Sequence, residues 1–426
     1  MVEEIKRFPE VVYAVDYKYM CSDPGQQLIR DHIREDKLDA VIVAACSPAM
    51  HETTFRKTAE ATGVNPYQTE IANIREQSSW VHQKQGEAAT NKAIETIRTV
   101  VAKAHYNQSL TPFYLPLVKR ALVIGGGVAG IQAALDVADA GYPVVLVEKT
   151  DRLGGRMAEL SGLYLNFDAV PELLQQKIDA VTSHPNIQVL ANAQVAEVGG
   201  YVGNFVVKVD QRASESTIPY TFDIGAIVVA TGYDLYDKAH LGEYGGGRHP
   251  DVIDGLQFEE MLRSNGSTGG QVRRPSDGQV PKEVVWVQCA GSRDPELHLP
   301  YCSKVCCMYV AKQSMAYKQR VPDGQATVFY IDIRTQGKGY EEFAQRAMEE
   351  YDVLYVRGKA SKVFQEPAVS GGKRNGHVTV WGVDTLTGLP LEVEADLVVL
   401  ATATIPRADA TELGPVSYTH LRAHET

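Results

Sequence analysis

The feature that most constrains this chain lies between Lys119 and Arg156. Arg120-Ala-Leu-Val-Ile124 is short, apolar, rich in β-branched residues and bounded by glycine, which predicts a buried parallel strand. It opens directly into Gly125-Gly-Gly-Val-Ala-Gly130, a G-x-G-x-x-G at Gly125, Gly127 and Gly130. Val128–Ala140 follows with apolar and alanine positions at helical spacing. Gly141 stops this helix as a C′ residue would, and Pro143–Val147 reads as a second buried strand ending at Glu148. Each part has a physical task. Gly125 permits a tight turn, Gly127 lets backbone approach a pyrophosphate, and Gly130 lets the helix pack close to the strand. The helix N-terminus presents unpaired N–H groups and partial positive charge to phosphates. The Glu148 carboxylate can accept from ribose hydroxyls and would repel a 2′-phosphate, which disfavours NADP. A glycine-rich turn alone is common, and a structural turn is the competing reading. Strand, motif, helix, strand and terminal acid in one βαβ unit point instead to a dinucleotide site.

The next residues select the dinucleotide. Asp151-Arg-Leu-Gly154-Gly155-Arg156 adds a glycine pair just past Glu148-Lys149. This resembles the FAD-binding half of two-dinucleotide flavoproteins of the thioredoxin reductase type. Gly225-Ala-Ile-Val-Val-Ala-Thr231-Gly232 looks like the strand and ATG crossover by which the chain leaves that domain. Val195, in Asn192-Ala-Gln-Val195, is placed like the family's adenine-contacting backbone, although core packing explains it equally well. The resemblance implies FAD rather than a nicotinamide, held by Gly125, Gly127, Gly130, Glu148, Lys149, Gly154, Gly155, Arg156, Val195, Thr231 and Gly232.

At 426 residues the chain has room for several domains, and 44% apolar content is ordinary for a folded protein. A net charge of −11 argues against nucleic acid or an anionic membrane as the main partner. No run approaches the length of a transmembrane span, and no apolar h-region follows Met1. Six cysteines, four of them between Cys289 and Cys307, suggest a metal site in a reducing compartment, with the cytoplasm as the expected setting.

The expected organisation is α/β throughout. Residues 1–105 form an N-terminal α/β domain, with strands at Val11–Val15 and Leu38–Ala44 and helices at Pro24–Glu35, Ala49–Thr62 and Glu87–Ala104. Residues 106–118, with Pro112 and Pro116, are a linker, and 119–240 are the FAD domain. Within it Val170–Ser183 is helical, and Ile187–Val198 and Val202–Val209 read as strands of a meander. Asp234–Asp277 is glycine-rich with little period and reads as connecting surface, so 241–280 are assigned to connecting loops. Residues 281–390 read as a second nucleotide-domain-like unit, with strand Pro281–Gln288, helix Met308–Lys318 and strand Ala326–Ile333. Ala395–Ala403 looks like the crossover back, which places 391–415 at the start of the return to the FAD domain. Residues 416–426 resemble a translated adapter and are excluded from the fold.

The second unit lacks a G-x-G-x-x-G after its first strand. In its place stand Cys289, Cys302, Cys306 and Cys307, a C-x12-C-x3-C-C pattern. Four thiolates match the four irons of a cubane cluster, and Cys302 and Cys306 sit one helical turn apart. Zinc also suits four thiolates, though its structural sites usually show two short C-x2–4-C knuckles. Disulfides or unliganded core cysteines are further readings. Cys21 and Cys46 each end a strand-like segment, where they either reach one site or serve as small buried hydrophobes.

These cysteines, Cys21-Ser-Asp-Pro-Gly, Ala45-Cys46-Ser-Pro, His51-Glu52, Phe55-Arg56, Asn73-Ile-Arg-Glu-Gln, Trp80-Val-His82 and Gly125–Gly130 together resemble the A-type subunit of heterodisulfide reductase over residues 10–413. The resemblance implies an iron–sulfur flavoprotein that passes electrons between FAD, a [4Fe–4S] cluster and partner subunits, with flavin-based bifurcation in some relatives. Ferredoxin or a hydrogenase or dehydrogenase is the implied electron donor. The family's N-terminal cluster uses further cysteines, one at position 78, where Ser78 stands here. The chain is expected to be a fragment truncated at both ends, impaired as an enzyme and weak in FAD binding. A stand-alone NAD(P)H-dependent disulfide oxidoreductase is the alternative, opposed by the lack of a C-x-x-C pair and of a second glycine motif. A scaffold with structural zinc is the third reading.

Overall fold

The structure, a computed structural model, describes residues 1–213, 216–365 and 377–410. The adapter-like residues 416–426 lie outside the described residues. The chain divides into two compact units, Met1–Leu115 and Pro116–Thr426.

In the first unit, strands Val41–Ala45 and Thr69–Asn73 pair in parallel. Helices Asp23–Glu35, Pro48–Glu60 and Gly86–Tyr106 surround them. Ser22 and Ser47 cap the first two helices, each with proline in the first turn, as N-terminal chemistry favours. Val11–Val15, expected as a strand, has no regular structure. Val11 and Ala14 lean on a core of Ile97 and Val101 while Val12 and Val15 are exposed. Inward residues three apart are not the alternation of a strand, and among the described residues no strand pairs with this segment.

The second unit uses one chain path twice. The first pass builds a four-stranded parallel sheet in the order Ile187–Leu190, Val144–Val147, Ala121–Ile124, Ala226–Val229. Helices Val128–Asp139 and Val170–Ser183 connect its strands, and an antiparallel meander, Ala193–Tyr201, Asn204–Arg212 and Thr217–Ile224, precedes the last one. The second pass repeats this order. Strands Glu283–Ala290, Gln325–Tyr330 and Leu354–Arg357, connected by helices Cys306–Arg320 and Tyr340–Glu349, lead to the meander Ala360–Phe364, Val378–Asp384 and Leu389–Ala395. Strand Leu397–Thr402 completes the pass.

The period-2 pattern explains the layering. Ala121, Val123, Val144 and Leu146 face Ile131, Ala134 and Ala138 of the helix, whereas Leu122, Ile124, Val145 and Val147 face Val207, Val209 and Ile224 of the meander. In the second sheet Val284, Trp286, Val328 and Val399 face the helix, and Val285, Val287, Phe329 and Val398 face the meander. Both sheets are thus buried on two faces, as parallel sheets require.

Several expectations need correction. Ile187–Val198 is not one meander strand. The chain breaks at Asn192, whose φ of 53° ends the parallel strand before the meander begins. Asp234–Asp277 is more than connecting loop: Val252–Asp254 is an edge strand of the second sheet and Gly255–Leu262 a helix. Asp254 and Gln257 form a capping box on that helix. Leu397–Thr402, read as the way back, is a strand of the second sheet, and the passage itself is Thr404–Pro406. It pairs antiparallel with the outgoing Tyr233–Leu235.

The two passes are also joined by an excursion of the first. Tyr164, Leu165 and Phe167 pack against the helix-side core of the second sheet. Beside them Lys312 Nζ meets Glu259 Oε1 at 2.5 Å, both side chains only 3% exposed. Glu259 also accepts from the Ser161 amide and hydroxyl and from Gln313, and Lys312 donates to the Gly162 carbonyl at 2.9 Å. The charges are paired and their hydrogen-bonding capacity largely used, which is the condition for keeping them buried.

Candidate functional site

The glycine motif folds as its spacing demands. Gly125 has φ 108°, and a β-carbon there would lie 2.3 Å from the Ala230 carbonyl oxygen. A β-carbon at Gly130 would stand 1.8 Å from the Gly125 oxygen, so only glycine lets helix and strand approach this closely. Gly127 differs. It is the N-cap of helix Val128–Asp139, and a β-carbon there would meet nothing within 4 Å. Open space at a helix N-terminus with a bare backbone is the cradle a pyrophosphate fits.

Glu148 closes the loop from the end of the neighbouring strand. Its Oε2 accepts from the Gly126 amide at 2.6 Å, and its Oε1 from the Thr150 amide and hydroxyl, both at 2.8 Å. The carboxylate is thereby aimed across the mouth of the glycine turn. Gly154 and Gly155 lie alongside: Gly154 N–H donates to the Gly126 oxygen at 2.8 Å, and Gly127 and Gly154 form an isolated parallel bridge. The strand carrying Val195 starts next to Glu148, with Ala193 N–H on the Glu148 carbonyl. Val195 pairs with Val209, and its side chain is partly buried against the meander core. Thr231 and Gly232, the latter at φ 76°, sit just before the outgoing strand.

Lys149 and Arg156 are engaged with acids. Lys149 Nζ meets Asp409 at 2.8 Å, and Arg156 meets Glu159 at 3.0 Å and Asp234 at 3.6 Å. Arg407 meets the same Asp234 at 3.6 Å and Asp409 at 3.8 Å. This chain of charges ties the two crossover segments to the glycine face. Sequence reasoning missed Gly126, Thr150, Asp234, Arg407 and Asp409. The central glycine of the run and Thr150, two residues past Glu148, were within reach of local reading, whereas Asp234, Arg407 and Asp409 reach the glycine face through contacts distant in sequence.

The second sheet places its cysteines where the first places its glycines. Cys289, buried at the end of strand Glu283–Ala290, has φ 58°, a left-handed conformation rare for a residue with a side chain. Cys306 and Cys307 open helix Cys306–Arg320, and Cys302 lies in the preceding loop, its sulfur accepting from the Lys304 amide at 3.4 Å. Burial, then the neighbouring Cys307, pushes the Cys289 thiol up to about 11. A hydrogen bond between the adjacent thiols holds Cys307 down to about 7 and pushes Cys306 up. The four side chains thus share one electrostatic neighbourhood. Among the described residues, however, no three His, Cys, Asp or Glu side chains converge as a metal site. Cys289, Cys302, Cys306 and Cys307 are gathered at one sheet edge, but their sulfurs bond to each other, to the chain and to Gln288 rather than to a common point.

The chemistry of the donor set fits a cluster nonetheless. Four thiols are gathered between the end of strand Glu283–Ala290 and the start of helix Cys306–Arg320. Two buried donors lack partners among the described residues: Gln288 Nε2, whose amide oxygen lies 3.5 Å from the Cys307 sulfur, and the Tyr355 hydroxyl, packed on the core that holds Cys307. A buried unsatisfied donor costs about 1–3 kcal/mol. In the first unit Cys21 is exposed and Cys46 half-buried. Each directly precedes a serine N-cap, and their neighbours Met20 and Ala45 lean on one core. Ser78, where the family places a cysteine, is buried and donates to the Ala89 carbonyl at 2.8 Å.

Residues 119–263 match the pyridine nucleotide-disulphide oxidoreductase family. With the glycine cradle and the doubled sheet, the class is a two-dinucleotide-domain flavoprotein oxidoreductase. The chain is 38% identical to the second A-type iron-sulfur subunit of CoB--CoM heterodisulfide reductase from Methanopyrus kandleri, over 96% of this chain and 73% of that protein. It is also 38% identical to the A-type subunit of H(2):CoB-CoM heterodisulfide,ferredoxin reductase from Methanothermobacter marburgensis, over 96% of this chain and 72% of that one. The A-type subunit of the ferredoxin/F(420)H(2)-dependent CoB-CoM heterodisulfide reductase from Methanosarcina acetivorans matches at 38% over 95% of this chain and 59% of its own length. The chain belongs to the family of heterodisulfide reductase A-type subunits.

Proposed function

We propose that this chain is the flavin-bearing electron-transfer subunit of a heterodisulfide reductase-like complex, with one iron–sulfur cluster in its second half. The observation that carries the reading is the repeated chain path. One pass keeps the glycine cradle and ribose acid, and the other sets four cysteines at the corresponding turn. Gly125, Gly127 and Gly130 bring backbone to the pyrophosphate of FAD, and Glu148 accepts from its ribose. Gly154, Gly155 and the backbone at Val195 line the ADP half. Thr231 and Gly232 stand at the flavin end, while Lys149 and Arg156 hold the crossover acids and, with them, the rim. Cys289, Cys302, Cys306 and Cys307 supply four thiolates to the cluster. FAD held there would supply exchange between two-electron and one-electron chemistry, and a cluster held by the four thiolates would supply one-electron relay. The chain's own part is to bind, to orient and to keep water from the buried edge at Cys289 and Cys307.

Cys21 and Cys46 are read as ligands of a second cluster. Other subunits of the complex are the partners, with ferredoxin or a hydrogenase or dehydrogenase as donor, in the cytoplasm. Among the described residues no helix is long and apolar enough to cross a membrane. The test is a visible spectrum and metal analysis on anaerobically purified protein. Flavin bands with a broad iron–sulfur shoulder are expected. Flavin alone supports a disulfide oxidoreductase, and zinc in place of iron overturns the cluster.

A further inference from the structure

We propose that Gln288 and Tyr355 donate hydrogen bonds to the sulfurs of the cluster at Cys307 and thereby raise its reduction potential. This rests on the four-cysteine reading above.

Two strands deliver the donors. Gln288 precedes Cys289 on strand Glu283–Ala290 and is 2% exposed. Tyr355 belongs to strand Leu354–Arg357, two strands further out beyond Gln325–Tyr330, where it stacks edge-on against Tyr330 at 5.7 Å. Both lie on the helix side of the sheet. The Cys307 sulfur lies 3.5 Å from Gln288 Oε1, and Tyr355 packs against the core that contains Cys306 and Cys307. Neither Gln288 Nε2 nor the Tyr355 hydroxyl has a partner among the described residues. Native interiors rarely leave such donors unpaired. In the same core Trp286 Nε1 reaches Gln313 at 3.3 Å, and the Tyr317 hydroxyl reaches the Pro281 and Lys282 carbonyls.

The chemistry explains what the donors are for. As a thiol, Cys307 donates to Gln288 Oε1. As a thiolate ligand it has no proton and only accepts, so the amide must present Nε2, which a half-turn about its last bond achieves. Reduction of a cluster adds negative charge that spreads onto its sulfurs. Donors aimed there stabilise the reduced form more than the oxidised one, and the potential rises. Tyr355 and Gln288 are positioning and tuning residues, not ligands.

The experiment is an EPR-monitored redox titration of the whole chain, anaerobically reconstituted with iron and sulfide, in wild type, Tyr355→Phe, Gln288→Met and Tyr317→Phe. The first two variants are expected to keep full iron and titrate at a lower potential. A tenfold fall in the reduced-to-oxidised ratio at fixed potential corresponds to about 59 mV for one electron. Tyr317→Phe, at the far end of the same helix, is expected to leave the potential unchanged. Full iron with unchanged potentials in both Tyr355→Phe and Gln288→Met overturns the inference. So does loss of iron from both, which would make them holding rather than tuning residues. A wild-type chain that takes up no iron and sulfide removes the cluster reading itself, and the inference falls with it.

Discussion

The two passes of the second unit share their topology and differ at one turn. In the first, three residues separate strand Ala121–Ile124 from its helix, and in the second, fifteen separate Ala290 from Cys306. Positive φ falls at Gly125 at the strand end in one, and at Cys289 and Gly291, either side of the last strand residue, in the other. At the end of the second strand, Glu148 holds the glycine loop in one pass. In the other, Asp332 accepts from Arg293 at 2.7 Å and from Arg334 at 3.0 Å. A parallel sheet gathers ligands at its carboxyl edge whatever the chemistry. What decides the ligand is the turn: bare backbone suits phosphate, and thiolates suit iron. The lesson is that a fold repeat need not be a functional repeat.

The sharpest way to break this comparison is to remove one half's ligands alone. The Cys306→Ser/Cys307→Ser double variant is expected to lose its iron while flavin is retained, as read by metal analysis and flavin absorbance on one sample. Full iron in the double variant would sink the cysteine assignment.

The joint between the halves is the next largest effect. Lys312→Met leaves Glu259 buried without its partner, which costs about 3–5 kcal/mol when a buried pair is broken on one side. Adding Glu259→Gln is expected to recover much of the loss. Urea unfolding of the two variants decides, and equal destabilisation by the single and double changes would show that the pair is not coupled.

A smaller effect tests the first half. Glu148→Ala removes a carboxylate that accepts three hydrogen bonds within the loop and, by proposal, those of the ribose. FAD binding is expected to weaken by about 1–3 kcal/mol, the scale of hydrogen bonds to a charged group. Titration of the apoprotein with FAD measures it, with iron content as the internal control. Unchanged affinity would mean that the acid serves only the loop.

Much of this was legible in the sequence because it is local. The strand, glycine motif, helix and acid between Ala121 and Glu148 follow one another within a single βαβ unit, so periodicity and capping rules reach them. The family was legible because its motifs recur along the whole chain. Three-residue strands were not, since Tyr233–Leu235 and Thr404–Pro406 are too short to show a period and are defined only by each other. The helix at Gly255–Leu262 could have been found from the Asp254–Gln257 capping box, and the break at Asn192 from a residue that tolerates positive φ. Nothing marked Glu259 and Lys312, or Gln288 and Tyr355, as partners, because their pairing exists only once the sheet brings distant segments together.

The smallest prediction concerns strain and returns to the turn that separates the halves. Cys289 holds φ 58°, where a β-carbon costs roughly 1–2 kcal/mol. Such strain persists when the surroundings impose it, and it gathers at functional positions. Cys289→Ala and Cys289→Gly both remove the thiol, so their difference isolates the β-carbon. At an ordinary position alanine is the more stable by about 0.5–1 kcal/mol, because glycine loses more backbone freedom on folding. Here relief of the left-handed strain opposes that term and exceeds it. Metal-free Cys289→Gly is therefore expected to be more stable than Cys289→Ala by about 0.5–1 kcal/mol. Paired urea midpoints at equal slope measure the difference. If alanine proves the more stable, the backbone at 289 relaxes once its thiol is gone, and its likeness to Gly125 is only a likeness of position.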